Sequence, residues 1–294
     1  MRHIFRSTAA RTATALAFTG VLTAGAAAPA AHAAAPKRVV ALTPFSANTM
    51  ALLGAKPIAV GQALGGPNLF APALRSVTKL PLSHPNGPNL EQLAKLKADY
   101  VFTGEAWSRG TAPMKRLGIR VANREPRAIT DVPRQTARIG AAIGRGAAGK
   151  RLAATQTNQI HAALAGIRKH PKVLLVLGVG TTPYAFLPNS WGGNLIQRAG
   201  GTLITAGLKS SNGYARISDE YVVAQNPDII IAIPHGNPDD LGEIATQLKS
   251  RPGWKTTRAA RAGHVYISTD NTLLQPISGV ASVLSSVRRT YLKN

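Results

Sequence analysis

The chain has 294 residues, with 35 Lys and Arg against 12 Asp and Glu, a formal charge of +23 and no cysteine. That length allows two halves of ordinary domain size, and the missing cysteine excludes disulfides, thiolate metal ligands, a thiol nucleophile and a cysteine-linked lipid anchor. The charge suits polyanions or anionic small ligands, but the basic residues are scattered and no helix-turn-helix, zinc-finger or base-stacking signature occurs, so no nucleic-acid partner is expected.

The first element is Arg2, Arg6 and Arg11, followed by the apolar run Ala15 to Ala28 and then Ala31-His32-Ala33. This charged, apolar, A-x-A order predicts a secretory signal peptide over 1–33, with an apolar run too short to span a bilayer comfortably. Its removal takes three arginines and no acid and leaves +20. The expected location is a periplasm or cell-wall space, without a lipid anchor on cysteine.

Lys37 to Leu42 predicts a short buried strand. A Pro/Ser/Asn break follows, then a helix over 46–53 stopped at Gly54, and a second strand over 57–60. Further on, Asp131 as N-cap and Pro133 in the first turn predict another helix, interrupted by Gly144 to Gly149. Leu152, Ile160, Leu164 and Ile167 then form an apolar stripe of helical period. They predict one long helix within 147–169, ended near Pro171. About 20 residues of helix span about 30 Å, enough for a strut between two lobes. The later half repeats the opening plan: a strand over 172–177, a loop, a helix over 193–199, and the stop Gly200-Gly201.

The register of the repeat points to an internal duplication. Asn48 precedes Gly54 by the same interval as Asn194 precedes Gly200. Glu91 stands to Asp99 as Glu220 stands to Asp228, and an apolar strand follows each aspartate, Tyr100-Val101-Phe102 and Ile229-Ile230-Ile231. Each segment reads as a short helix, a turn and a buried parallel strand. The expected fold class is α/β: two Rossmann-like lobes with central parallel sheets, joined by one long helix. The expected divisions are a leader at 1–33, a first lobe at 37–130, a helical linker at 131–170 and a second lobe at 171–294.

Four segments carry a family resemblance: "RVVALTPFSANTMALLGAKPIAVG", "GPNLEQLAKLKADYVF", "ISDEYVVAQNPDIIIAI" and "LKSRPGWKTTRAARAGHVYI". Together they resemble the single-helix-linked class of solute-binding proteins of ABC importers, the receptors for cobalamin, ferric siderophores and haem. The resemblance implies a monomeric, non-enzymatic receptor with ligand in a cleft between two lobes that move little. It also implies one glutamate per lobe presented to a membrane permease, here Glu91 and Glu220. The matched carboxylates on a strongly cationic protein support that role physically.

Within the class, "LGVGTTPYAFLPNSWGGNLIQRAGG" and "PDIIIAIPHGNPDD" look like the haem receptors, which carries the axial-ligand role onto His235. A histidine past the carboxyl end of a parallel strand is also where open α/β sheets bind ligands, and a neutral imidazole ligates iron well. The branch often supplies a first-lobe methionine near position 86. Here Asn86 stands there and the only methionines after Met1 are Met50 and Met114, which leaves His84 as a substitute metal ligand and Tyr184 as another candidate. Trp107 and Trp191, in loops after strands, are candidate ligand contacts or packing residues. Arg109 and Arg216 would meet ligand carboxylates. His161 reads as a surface residue of the linking helix and His264 as structural.

No catalytic cofactor is expected, and the transported ligand is expected to be haem or another iron complex, with cobalamin or a ferric siderophore as the alternative. An exported hydrolase is the enzyme alternative, but G-x-S-x-G, H-E-x-x-H and the Gly-Lys-Ser/Thr end of a P-loop are absent. A third reading is a protein held by its charge to anionic wall polymers.

Overall fold

The strand sequences come in two sets, and each set builds its own sheet. The computed structural model describes residues 35–62, 70–269 and 271–293; the expected leader lies outside them. The first sheet uses β1 (Val39–Ala41), β2 (Ala59–Gln62), β3 (Thr78–Ser83), β4 (Gly87–Pro88), β5 (Tyr100–Thr103) and β6 (Arg120–Asn123), in spatial order β4-β3-β2-β1-β5-β6. All its pairings are parallel except β3 with β4. The second uses β7 (Lys172–Val179), β8 (Thr182–Phe186), β9 (Thr202–Leu203), β10 (Tyr214–Arg216), β11 (Ile229–His235) and β12 (Val265–Ile267), in order β10-β8-β7-β11-β12 with β9 beside β7. Its centre, β7-β11-β12, is parallel. The stretch after β7, expected as loop, instead turns back as β8 and pairs antiparallel with β7 and β10.

Between the strands run α1 (Pro44–Leu52), α2 (Leu90–Lys95), α3 (Thr111–Arg116), α4 (Asp131–Ala142), α5 (Gly146–Leu164), α6 (Trp191–Arg198), α7 (Asp219–Gln225), α8 (Leu241–Ser250), α9 (Arg258–Arg261) and α10 (Val280–Val287). The duplication is visible atom by atom. The Asp99 carboxylate accepts from Lys37 N and Arg38 N while Asp99 N donates to Arg38 O. Asp228 does the same at the start of β7, accepting from Lys172 N and donating to Lys172 O. Both α1 and α6 end two residues before a glycine of positive φ, Gly54 (+69°) and Gly200 (+104°). Asn48 and Asn194, at matching places on these helices, each accept a loop N–H, from Ala71 and Ile129.

The helical connection differs from expectation in three details. Thr130, not Asp131, is the N-cap residue of α4; the Asp131 carboxylate folds back onto the N–H groups of Arg127 and Ala128 and pairs with Arg134. The break between the helices is Ile143 to Arg145, so Gly149 lies inside α5. The helix has 19 residues and ends at Leu164, because Gly166 turns to a φ of +70° before Pro171 is reached. Ile167 is therefore outside it.

Side-chain alternation explains how the two sheets become one body. Val39 and Ala41 of β1 and Phe102 of β5 point into the same apolar cluster as Val173 and Leu175 of β7 and Ile231 of β11. Val40 and Val101 point the other way, onto Leu93 of α2 and Met114 of α3. Leu174 and Ile230 likewise point onto Ile244 and Leu248 of α8. Residues from Ala35 onward accordingly cluster as one compact unit. Polar links cross the shared core at buried Ser278. Its Oγ meets Thr49 Oγ1 of α1 at 2.8 Å, and its carbonyl accepts from Gln156 Nε2 of α5 at 3.1 Å.

α4 and α5 touch through two glycines. A Cβ placed on Gly140 would lie 2.7 Å from Gly149 Cα. A Gly140→Val variant is therefore expected to lose about 1–3 kcal/mol by overpacking and several degrees of Tm. An unchanged thermal melt would refute this contact as a determinant of stability.

Candidate functional site

Open α/β sheets bind ligands outside the carboxyl ends of their strands, where the chain reverses the direction in which it adds strands. In the first sheet that point lies between β1 and β5, and in the second between β7 and β11. His235 is the last residue of β11 and is paired in register with Val179, the last of β7. It thus stands at the second reversal point.

A cavity of about 550 Å³ opens there, within the range of small-molecule sites. Its wall includes Val179 at the end of β7, Thr181 of the β7–β8 turn, His235, Asn237, and Glu243 and Gln247 of α8. All of its lining residues come from the second half. His84 is not among them. It is an exposed residue past β3, edge-on to Trp107 with ring centroids 6.1 Å apart. The described structure therefore brings His84 to Trp107 and leaves it apart from the His235 cavity. Among the described residues no group of three or more His, Asp or Glu is placed to hold a bare metal ion. A macrocycle that brings its own equatorial nitrogens needs only axial ligands from the protein.

Tyr184 and Arg216 face each other across the β8–β10 pair. Two positions along, on the same face, Phe186 and Tyr214 pair across the strands, with rings 4.9 Å apart in an edge-to-face contact. Tyr184 and Tyr214 are half-buried against the shared core, and Arg216 is exposed. Trp107 is half-buried in a 3-10 turn over Glu105–Gly110, and Arg109 is exposed in the same turn. Trp191 is not a loop residue. It is the first residue of α6, 6 % exposed, and its indole N–H donates to Thr272 O at 2.8 Å. These contacts make it a packing residue.

Glu91 and Glu220 occupy one structural position in two copies. Each is the second residue of a short helix, two after its N-cap: Asn89 for α2 and Ser218 for α7. Each is exposed. A carboxylate there is favoured by the free N–H groups and positive end of the helix. At Glu220 the Ser218 hydroxyl, and then its own backbone N–H, hold the carboxyl below the usual value.

Glu125 was not singled out from the sequence. It follows β6, yet its carboxyl reaches back over the end of β5: a Cβ on Gly104 would collide with Glu125 Oε2 and lie 2.8 Å from its Cδ. Its acidity is weakened by burial above all. A hydrogen bond from the Glu105 backbone N–H opposes that shift and the Glu105 charge adds to it, leaving the pKa at about 7. Tyr214, of the second sheet, is pushed up to about 12, by burial and then by the Glu125 charge. A five-glutamate composition was a weak signal for Glu125, because nothing local announces that a residue beyond β6 folds over β5.

A family described as "Periplasmic binding protein" matches residues 39–272. A cobalamin-binding protein of Halobacterium salinarum is 27% identical over 263 residues, which cover 87% of this chain and 69% of the relative. The high-affinity heme uptake system protein IsdE of Staphylococcus aureus is 26% identical over 190 residues, 63% of this chain and 64% of that protein. In structure, an ABC transporter substrate-binding protein from Listeria monocytogenes EGD-e superposes with a TM-score of 0.74 at 21% identity, covering 89% of this chain and 100% of that one. S. aureus IsdE complexed with heme gives 0.73, at 21% identity, over 86% and 98%. At such identities the structural likeness speaks for the fold.

Proposed function

Because the chain belongs to the periplasmic binding protein family, we propose that it is the extracytoplasmic solute receptor of an ABC importer and that its solute is an iron tetrapyrrole held by His235. The family binds solutes and does not transform them, which removes the hydrolase alternative. The observation that carries the ligand reading is the placement of His235 at the reversal point of the second sheet, beside a cavity of ligand size. Tyr184 or His84 would be the candidate for the opposite ligand. Glu91 and Glu220 would hold the permease. No helix of the described residues is long and apolar enough to cross a membrane, which is compatible with a receptor that meets its permease from outside.

A second reading, a corrinoid solute, is favoured by one feature: the first-half crevice presents the carboxyl of Glu125 rather than a cation. The visible spectrum of protein purified from cells supplied with haem, cobalamin or a ferric siderophore separates the readings. A Soret band is expected. If the protein ignores haemin and binds a ferric siderophore tightly, the receptor assignment stands and the tetrapyrrole reading fails.

A further inference from the structure

We propose that Glu125 is a solute-contacting residue of the first half, which hydrogen-bonds an uncharged polar group of the bound solute: a carboxamide or a protonated carboxyl. The inference rests on the receptor reading above with a tetrapyrrole or corrinoid solute, but not on haem in particular.

Its first support is position. The Glu125 carboxyl lies against Gly104, just past β5, and Thr43, just past β1; a Cβ on Gly104 would approach Thr43 Cγ2 to 2.9 Å. It therefore fills the crevice between the carboxyl ends of β1 and β5. On the duplicated plan the matching strand ends of the second sheet, those of β7 and β11, carry His235. Only glycine at position 104 admits it, so the backbone of one strand end is shaped around a side chain brought from beyond another.

The second support is the company it keeps. The carboxyl accepts the Glu105 backbone N–H, and the Glu125 N–H is held by Asn123 Oδ1 at 3.0 Å, so the side chain is fixed from both ends. The cations nearest in sequence are engaged elsewhere. Arg127 pairs with Glu105 at 2.7 Å, and Arg124 donates to Asn123 O at 2.9 Å. Tyr214, from the other sheet, lies close enough for the Glu125 charge to act on its phenol. A carboxyl so placed, half-buried and without an ion-pair partner among the described residues, resists ionisation. It would repel a free carboxylate and complement a group that can both donate and accept.

A purely structural role, holding the turn after β5, is the competing account. The Glu125→Gln variant distinguishes them, because it keeps an acceptor for Glu105 N–H and removes the proton exchange. Cyanocobalamin, with its rim of carboxamides, and haemin, with two propionates, are titrated into wild type, Glu125→Gln and Glu125→Ala between pH 6 and pH 8. One proton titrating near 7 makes haemin affinity fall about tenfold over that range in wild type, and Glu125→Gln flattens the fall. Competition between protons and iron for His235 works in the opposite direction and is common to both proteins. Cyanocobalamin binding should be independent of pH and weaken about tenfold in Glu125→Ala. The melt is the control for folding. Ionising a carboxyl whose folded pKa is raised opposes folding increasingly as pH rises from 4.5 past 7, so Glu125→Gln should melt higher than wild type at pH 8 and no lower at pH 5. If a probe binds and the variants match wild type in affinity and pH slope, the inference fails and the receptor reading stands. If neither probe binds wild type, the tetrapyrrole and corrinoid readings fail and the inference falls with them.

Discussion

A variant carrying both Glu91→Gln and Glu220→Gln is expected to bind its solute with wild-type affinity and to lose import. The two residues hold the same place in the two copies of the duplicated unit, the second position of α2 and of α7. Each helix leads into a central strand, β5 or β11. The sheets fix the two carboxylates relative to each other as rigidly as their shared core fixes the sheets. A matched pair of anions on a cationic body selects one orientation on a permease that presents two guanidinium groups. Glutamine keeps the shape and the helix but cannot make a charge-assisted bond. Each single replacement should weaken docking by about tenfold or more, and the two losses should multiply, since the sites have no shared partner. The Ser218 bond holds the Glu220 carboxyl below its usual value, so docking through this residue should resist acid better than docking through an ordinary glutamate. Normal uptake by the double variant would end the docking assignment.

The second large effect is expected at His235. His235→Ala should shift or abolish the Soret band and speed haem loss by about tenfold or more, while the exposed His161→Ala on α5 should do neither. A strand end is a rigid mount for a ligand. Seven residues of β11 pair with β7 up to His235 itself, so the ring is carried by backbone that cannot drift. A proton competes with iron for an imidazole nitrogen, so affinity through His235 should fall in acid. Wild-type spectra and off-rates in His235→Ala would place the iron elsewhere and leave Tyr184 or His84 to be replaced in turn.

The parts of the site that were legible before the fold was known are those written locally. "PNLE" and "SDE" each place a helix start and a glutamate within a few residues, and both helices formed, capped by Asn89 and Ser218. His235 follows a run of apolar strand residues, and a strand end is a local event. Trp191 was misread as a loop residue because "PNSWGG" looks like a turn. Ser190 in fact caps α6 through Gly193 N, and the indole is drawn inward onto Thr272. The hairpin carrying Tyr184 was read as loop because Gly180 and Pro183 look like turn residues, although β8 pairs with β7 directly before it and only β10 comes from farther along the chain.

The sequence alone determined the two-half α/β plan, its helix stops at Gly54 and Gly200, the linking helix and the paired glutamates. Hydrophobic period, caps and left-handed glycines act within a turn or a strand, and each was repeated in both halves. Tertiary structure alone decided which side chains meet: His84 with Trp107 rather than His235, Glu125 over Gly104 and near Tyr214, and Ser278 between α1 and α5. Those meetings join segments separated by tens to hundreds of positions. They follow from how two sheets share one core and how far each loop reaches over a neighbouring strand, and these are properties of packed volume that no local pattern encodes.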